Sequence, residues 1–261
     1  MRVISVSSLK GGVGKTTITL GLASAAYANG LKTLVIDMDP QSDASAALAS
    51  RSSHGISVDQ ILRHGGRGSV RKAIVPSSWS ATSENGVHIL MGSPAVSQHD
   101  STNPNQKDLW LLEEALVLIE RDYDIVFIDC PPSFNALTKT AWAASDAVVV
   151  IAEPSLFAVT ASKRTLLALE MMQKNMSPRL VTSGIIINRF RAESREHNFR
   201  IEEMRQLFGS YLLDPILDET PTVQQATGAA TPIHRWPGEA AQELAKKFDR
   251  LLTQVLASVN N

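Results

Sequence analysis

Short apolar runs alternate along the chain with longer stretches in which apolar residues recur at every third or fourth position. The short runs predict strands at Val3–Val6, Thr33–Ile36, Val87–Leu90, Ile125–Ile128, Ala147–Ile151, Val181–Ile187 and, as a further candidate, Leu212–Ile216. Several are aliphatic throughout, which is typical of parallel strands covered on both faces. The longer stretches predict helices at Thr16–Asn29, Lys107–Arg121, Leu156–Gln173, Phe199–Phe208 and Gly238–Val259. This alternation predicts an α/β fold with a doubly wound, mostly parallel sheet flanked by helices.

Composition fits a single globular unit. The chain has 261 residues, of which 44% are hydrophobic, and we expect one domain over residues 1–261. The segment Arg63–Asn85, with its glycines, serines and prolines, is predicted to be the least ordered loop region. No apolar run approaches the roughly 20 residues of a membrane span, and the first residues lack the apolar stretch of a signal peptide. We therefore expect a cytoplasmic protein.

Charge and cysteine content limit the kinds of site that the chain can form. The formal net charge is −1, so any binding of nucleic acid must come from a local basic patch. Cys130 is the only cysteine, which excludes a disulfide framework and a metal site built from cysteines. A protein that holds an iron–sulfur cluster through several of its own cysteines is excluded for the same reason.

A glycine-rich loop, SSLKGGVGKTT at residues 7–17, lies between the first predicted strand and the first predicted helix. Glycines allow backbone N–H groups to point at phosphate oxygens, and the helix amino terminus adds a favourable dipole. Lys15 would reach the β- and γ-phosphates, and the Thr16 hydroxyl would bind Mg²⁺. The usual pattern has a glycine where this chain has Leu9. The nucleotide-binding candidates of the loop are Gly11, Gly12, Val13, Gly14, Lys15, Thr16 and Thr17.

The segment from Lys10 to Thr17 resembles the deviant Walker A loop of the ParA/MinD family of ATPases, Lys-Gly-Gly-x-Gly-Lys-Thr-Thr. In that family the first lysine reaches across a nucleotide-sandwich dimer to the phosphates bound by the partner subunit. The resemblance implies ATP and Mg²⁺ as cofactors, a homodimer in the ATP-bound state, and both Lys10 and Lys15 as catalytic and nucleotide-binding residues. A cation from the other subunit makes dimer formation depend on bound ATP and can stabilise charge during hydrolysis.

Two predicted strands deliver aspartates to the sheet edge at which open α/β sheets bind ligands. The first segment, LVIDMDPQSDAS, contains Asp37 and Asp39, and the second, YDIVFIDCPPS, contains Asp129. Similarity to the switch regions of the family implies that Asp39 positions the attacking water and that Asp37 supports Mg²⁺ or its own loop. Asp129 would hold Mg²⁺ as a Walker B carboxylate, usually through a water molecule.

The resemblance extends into the second half of the chain. The segment SGIIINRF ends a predicted strand with Asn188, and in relatives an asparagine at this place touches adenine. The backbone of the segment LLDPILDET lines the base pocket in relatives, which makes Pro215 a further nucleotide-binding candidate. Asp218 and Glu219 stand where relatives often have Pro-Arg, which argues against a basic DNA contact at that position.

The family also implies a surface to which ATP-bound dimers adhere until a partner triggers hydrolysis. Nonspecific DNA is the first candidate, because phosphates bind arginine and lysine without regard to sequence. The DNA-binding candidates are Arg189, Arg195, Arg200 and Arg205. Arg191 and four glutamates are interleaved with them, so a solvated, ion-paired helix face explains the same run about as well.

A membrane is the other candidate surface, reached in MinD-type relatives by a carboxyl-terminal amphipathic helix. One face of the last predicted helix carries Leu244, Phe248, Leu251, Leu252 and Val255. Such a stripe is more often a terminal helix packed on its own core, so no stable membrane association is expected.

The resemblance therefore implies a ParA-like ATPase in the cytoplasm, associated with the nucleoid. It would position or segregate a cargo, such as a plasmid, a chromosome or a carboxysome, through hydrolysis stimulated by a cargo-adaptor protein. The alternative is a MinD-like, membrane-associated ATPase that regulates cell division or flagellar placement.

Overall fold

A computed structural model of the chain describes residues 1–48, 56–64, 69–80 and 86–259. The strands are β1 (Arg2–Ser7), β2 (Thr33–Asp37), β3 (Ile74–Pro76), β4 (Val87–Leu90), β5 (Ile125–Asp129), β6 (Ala147–Ala152) and β7 (Val181–Ile187). The α-helices are α1 (Lys15–Ala28), α2 (Asp43–Leu48), α3 (Val58–His64), α4 (Val70–Ala73), α5 (Leu111–Val117), α6 (Ala136–Ala143), α7 (Leu156–Asn175), α8 (Arg195–Phe208), α9 (Thr222–Gly228) and α10 (Glu239–Val259). Short 3₁₀ helices lie at Ser78–Ser80, Pro94–His99, Asp108–Trp110, Gly209–Tyr211 and Ile233–Arg235.

The strands form one seven-stranded sheet in the order β3-β4-β2-β5-β1-β6-β7. Neighbouring strands are parallel except for the pair β3 and β4, which confirms the mostly parallel sheet predicted from the sequence. Asp37 at the end of β2 lies opposite Asp129 at the end of β5. The glycine-rich loop leaves β1 at the same edge, so the fold brings the loop and the two aspartates together.

Helices cover both faces of the sheet, and each face has its own apolar core. Buried side chains of α1, α2, α9 and α10 belong to one core, and those of α3 to α8 belong to the other. Successive residues of a central strand point to opposite cores, as Val126 and Phe127 of β5 do. The central strands are therefore aliphatic throughout, because neither face meets water.

The predicted strand at Leu212–Ile216 is wrong. The backbone follows β7 there, with Leu213 N donating to Ile185 O and Leu217 N donating to Ile187 O, but a single bridge at Leu212 is the only ladder contact in this segment. Pro215 has no N–H to donate, which prevents a regular ladder.

Strand β3 was not predicted, and it lies in the segment that was expected to be a loop. It is 3 residues long and pairs antiparallel with β4 at the edge of the sheet. A strand that is this short and ends in proline has no recognisable apolar alternation. Helix α4 and the 3₁₀ turn Ser78–Ser80 also occupy this segment, whose residues 65–68 and 81–85 lie outside the described part of the chain.

Two helices differ from their predicted bounds. The helix expected over Lys107–Arg121 is a 3₁₀ turn followed by α5, which ends at Val117. Helix α8 begins earlier than expected, at Arg195, because Ser194 caps it: its Oγ accepts a hydrogen bond from His197 N at 3.2 Å.

The last helix packs on the protein core. All five apolar residues of its predicted stripe are buried in α10, and a Cβ atom at Gly21 of α1 would lie 2.1 Å from the Phe248 ring. The apolar face that could have bound a membrane is therefore occupied by the sheet and α1. Within the described residues, no helix has the length and apolar character needed to cross a bilayer.

Candidate nucleotide site

The glycine-rich loop has the backbone shape of a phosphate cradle. Gly12 and Gly14 have φ angles of +78° and +94°, which side chains with a Cβ rarely adopt. A Cβ at Gly14 would also lie 2.3 Å from Asn188 Nδ2. Helix α1 begins at the next residue, Lys15, so its free N–H groups and dipole face the cradle. These features fit a polyphosphate.

Lys15 is buried at the base of this cradle, with 7% of its surface exposed. Burial lowers the pKa of its ammonium, and the negative charges of Asp129 and Asp39 act in the opposite direction. Among the described residues, no carboxylate lies within salt-bridge distance of Lys15. A buried cation without an ion-pair partner is costly, and the phosphates of a nucleotide would supply the missing negative charge.

Asp129 is buried beside the start of α1 and is held by two threonines. Thr16 Oγ1 donates to its Oδ2 at 2.7 Å, and Thr19 Oγ1 donates to its Oδ1 at 3.1 Å. Burial, and then the charge of Asp37, raises the pKa of Asp129 to about 7, although both hydroxyls and Lys15 oppose the shift. A hydroxyl and a carboxylate in contact are the hard oxygen donors that Mg²⁺ prefers, so the predicted pair Thr16 and Asp129 fits that ion.

Thr19 is a site residue that the motif did not reveal. It lies one helical turn after Lys15, and its hydroxyl is also 3.0 Å from Lys15 O. The signal in the sequence was a third hydroxyl residue on the same face of the predicted helix as Lys15, at the spacing i, i+4.

Asp37 is fully engaged with its own loop. Its Oδ2 accepts hydrogen bonds from Ser45 N at 2.8 Å and Ser45 Oγ at 2.6 Å, and its Oδ1 accepts from Asp39 N at 3.2 Å. Burial raises the pKa of Asp37 to about 6, while these donors oppose the shift. The contacts match the loop-supporting role, and a contact between Asp37 and Mg²⁺ stays a prediction.

Asp39 lies in the loop that Asp37 stabilises. It is buried, with 9% of its surface exposed, and its Oδ1 accepts a hydrogen bond from Gln41 N at 2.9 Å. Its negative charge acts to raise the pKa of Lys15, so the two side chains lie near each other. The structure thus brings Lys15, Asp39 and Asp129 together, and their roles in binding and hydrolysis stay predictions.

Lys10 has a different environment from Lys15, although both belong to one loop. Its ammonium forms an ion pair with Glu153 and lies 3.4 Å from Ser155 Oγ, at the start of α7. About a third of the side chain is exposed. Lys10 therefore lies outside the cluster around Asp129, and Glu153 is a contact that the motif could not reveal.

A cavity of about 250 Å³ opens beside the cradle. Asn188 lines it and ties it to the loop, since its Nδ2 donates to Val13 O at 2.9 Å. Thr17 lines it from α1, and the segment Leu217–Thr220 forms another wall. Pro215 was assigned to this pocket, but the backbone reaches the cavity only two residues later, at Leu217. The position of the cavity fits a nucleotide base.

The predicted DNA-binding arginines are in three different situations. Arg189 has a φ of +59° and its Nη1 donates to Gly12 O at 2.6 Å, so it contacts the phosphate loop. Arg200 is ion-paired with two glutamates of its own helix, Glu196 at 2.6 Å and Glu203 at 2.8 Å. Arg195 and Arg205 are exposed on α8, and neither forms a salt bridge within the described residues.

A phosphate loop, a buried lysine and a hydroxyl–carboxylate pair at the carboxyl edge of a parallel sheet define a P-loop nucleoside triphosphatase. The family model of an AAA domain matches residues 1–182. The chain is 26% identical over 238 residues to the chromosome partitioning protein ParA of Myxococcus xanthus strain DK1622, with 89% of this chain and 80% of the relative covered. The chain belongs to the ParA/MinD family of P-loop ATPases.

Solved structures share the fold. Apo McdA from Cyanothece superposes with a TM-score of 0.83 at 20% identity, covering 98% of this chain and 99% of that one. Cobyrinic acid a,c-diamide synthase from Mycobacterium smegmatis, bound to an ATP analog and magnesium, has a TM-score of 0.77 at 22% identity, with 97% and 94% covered. Complexes of this kind support ATP and Mg²⁺ as ligands of the fold family.

The raised pKa of Asp129 predicts how the stability of the nucleotide-free chain depends on pH. The pKa rises from its ordinary 3.8 to about 7 on folding, so the folded state binds this proton more tightly and loses stability as the pH rises between those values. Since one unit corresponds to about 1.4 kcal/mol, Asp129→Asn should raise the free energy of unfolding at about pH 8 by at least ~1 kcal/mol. Thermal denaturation without nucleotide measures this change.

The same substitution should abolish ATP hydrolysis, because an amide cannot replace the carboxylate beside Thr16. Asp108→Asn, on an exposed side chain, is the matched control and should alter neither quantity. If the Asp129→Asn chain is instead less stable than the parent at about pH 8, ionisation of the buried carboxylate does not lower the stability of the fold, and the prediction is wrong.

Proposed function

We propose that the chain is a ParA-like ATPase that forms an ATP-sandwich homodimer, binds nonspecific DNA and positions or segregates a cargo in the cytoplasm, in association with the nucleoid. The observation that supports this proposal is the pair of lysines in one loop. Lys15 is buried at the base of the cradle, whereas the Lys10 side chain is about a third exposed and its ammonium pairs with Glu153, away from the cluster around Asp129. A second lysine in this position is suited to the phosphates of another subunit.

The residues have separate tasks in this proposal. Thr16 and Asp129 would hold Mg²⁺, which neutralises phosphate charge when it is bound. Lys15 and the loop N–H groups bind the β- and γ-phosphates, and Asp39 orients the water that attacks the γ-phosphate. Lys10 of the partner subunit adds positive charge where the leaving phosphate develops negative charge.

Turnover by the isolated chain should be slow. Lys10 is held by Glu153 in the monomer, so the site is complete only after a conformational change and dimerisation. A cargo-adaptor protein that favours the dimer would then stimulate hydrolysis. The relatives named for chromosome partition make a chromosome one candidate cargo. A plasmid and a protein body are the other cargoes that the family resemblance implies.

Binding of DNA is proposed for the exposed arginines of α8. Arg195 and Arg205 are available for phosphate contacts, whereas Arg200 is occupied by glutamates. Dimerisation doubles the basic patch, so weak contacts of one monomer add up to useful affinity. The doubly substituted chain Arg195→Glu/Arg205→Glu should therefore bind DNA at least about tenfold more weakly, with ATP-driven dimerisation unchanged.

Co-sedimentation with ATP, Mg²⁺ and linear DNA of mixed sequence tests this proposal. Binding by the parent chain should require ATP and weaken steeply with salt, because each phosphate contact releases counterions. The control Lys32→Glu/Arg121→Glu makes the same charge change at two exposed positions that precede the amino-terminal ends of β2 and β5. It should leave DNA binding intact. Binding to anionic liposomes without binding to DNA would contradict the proposal.

A further inference from the structure

Apolar side chains face solvent on α7, away from the nucleotide site. Leu167 and Met171 are 51% and 62% exposed. Next to Met171 lies a groove of about 320 Å³, which we call the α7 groove; it is lined by Leu109, Phe134, Lys139, Met171, Met172 and Met176, among others. Its volume is at the lower end of the roughly 300–1,000 Å³ of protein ligand pockets. Apolar surface of this kind on a soluble domain marks an interaction site.

Four of the five charged side chains formed by Lys139 and the described residues of α7 are positive. The Lys139 ammonium lies 5.2 Å from the centre of the Phe134 ring, at the edge of the groove. Lys163, Arg164 and Lys174 are exposed on α7, and Glu170 is the single acidic residue of that helix. Within the described residues, none of the four basic side chains forms a salt bridge, and no acidic residue lines the groove. Asp108 is exposed next to the groove residue Leu109, so the excess of positive charge lies on the side of α7 and Lys139.

We propose that the α7 groove is the docking site for an acidic segment of a partner protein, with large apolar side chains inserted between its carboxylates. Methionine side chains are flexible and polarisable, so Met171, Met172 and Met176 can adapt to the apolar anchors. The cations at the rim would pair with the carboxylates, giving specificity and a fast encounter. The apolar lining of the groove favours a peptide over DNA, whose phosphates are bound by basic and polar groups.

The groove is connected to the nucleotide site through one loop. Phe134 lies between Asp129 and α6, and its ring packs against Trp142 at a centroid distance of 5.1 Å. A segment that binds Phe134 therefore touches the loop that begins at the Mg²⁺-site carboxylate. This inference goes beyond the proposed function, since it concerns a protein partner of a surface outside the nucleotide site.

Selection from a random-peptide display library against the purified full chain tests the proposal. The enriched peptides should combine Asp or Glu with Leu, Phe or Trp. Met171→Asp should weaken their binding at least about tenfold in fluorescence anisotropy, and so should Lys139→Glu/Lys174→Glu. Val117→Asp is the matched control, because Val117 is also helical, apolar and 62% exposed; it should leave binding unchanged.

Enriched peptides that are basic, or that bind Met171→Asp as tightly as the parent, would overturn the proposal. So would loss of DNA or anionic-vesicle binding in Met171→Asp, or loss of ATP-dependent dimerisation, since the groove would then hold nucleic acid, lipid or a second copy. A parent chain that fails to dimerise refutes the proposed function alone, because peptide binding is measured on the monomer as well.

Discussion

Lys15→Ala should abolish ATP binding, with a loss of affinity of at least about 100-fold. The ammonium is buried under the phosphate loop without an ion-pair partner in the described chain, so its charge is available to the phosphates and is weakly screened there. Titration of a fluorescent ATP analogue in the presence of Mg²⁺ measures the change directly. ADP affinity should fall as well, because the lysine reaches the β-phosphate.

Loss of folding cannot explain this expected result. Removing a buried, unpaired cation should leave the nucleotide-free chain as stable as the parent or more stable, and thermal denaturation checks this. Lys32→Ala, which removes an exposed lysine, is the matched control and should bind ATP normally. A folded Lys15→Ala chain that retains the affinity of the parent would show that the loop does not bind phosphate as described.

Asp39→Ala should retain ATP binding and lower the rate of hydrolysis at least about 100-fold. The Asp39 carboxylate lies near Lys15 on a separate loop, where Asp37 and Ser45 hold the backbone. Its loss should therefore remove a group that orients water and leave the phosphate ligands in place. ATP-bound dimers should then accumulate. Phosphate release and nucleotide affinity, measured on the same preparation, distinguish the two effects.

The conservative variant Asp39→Asn sharpens this test. An amide keeps the size of the side chain and can still accept the hydrogen bond from Gln41 N, but it has no charge and only one acceptor oxygen with which to orient the water. It should therefore be as inactive as Asp39→Ala while the loop keeps its structure. If either substitution instead abolishes ATP binding, Asp39 belongs to the phosphate-binding set and its assigned role is wrong.

Local motifs were sufficient to place the glycine loop and two aspartates at one edge of the sheet. The glycine loop has its chemistry in consecutive residues, and Asp37 and Asp129 each end a strongly apolar strand. Parallel strands align their carboxyl ends, so the pattern alone places these groups at one edge of the sheet. The aliphatic strands themselves were predicted because burial on both faces leaves a continuous apolar run.

Contacts between distant parts of the chain could not be predicted in the same way. The partner of Lys10 is 143 residues away, and Arg189 reaches the phosphate loop across 177 residues. Glu153 and Arg189 have no distinguishing pattern in the sequence, because only the packing of β6 and β7 beside β1 brings them close. The segment that contains Pro215 has the apolar pattern of a strand, but the missing N–H of Pro215 prevents a regular ladder there.

Sedimentation velocity with ATP and Mg²⁺ tests the central claim, that Lys10 acts on the phosphates of a second subunit. In the hydrolysis-deficient Asp39→Ala background, we predict a dimer that requires ATP. Adding Lys10→Ala should return it to a monomer that still binds ATP, whereas adding Lys32→Ala should leave the dimer intact. A dimer that survives Lys10→Ala, or a chain that stays monomeric with ATP bound, would contradict the account.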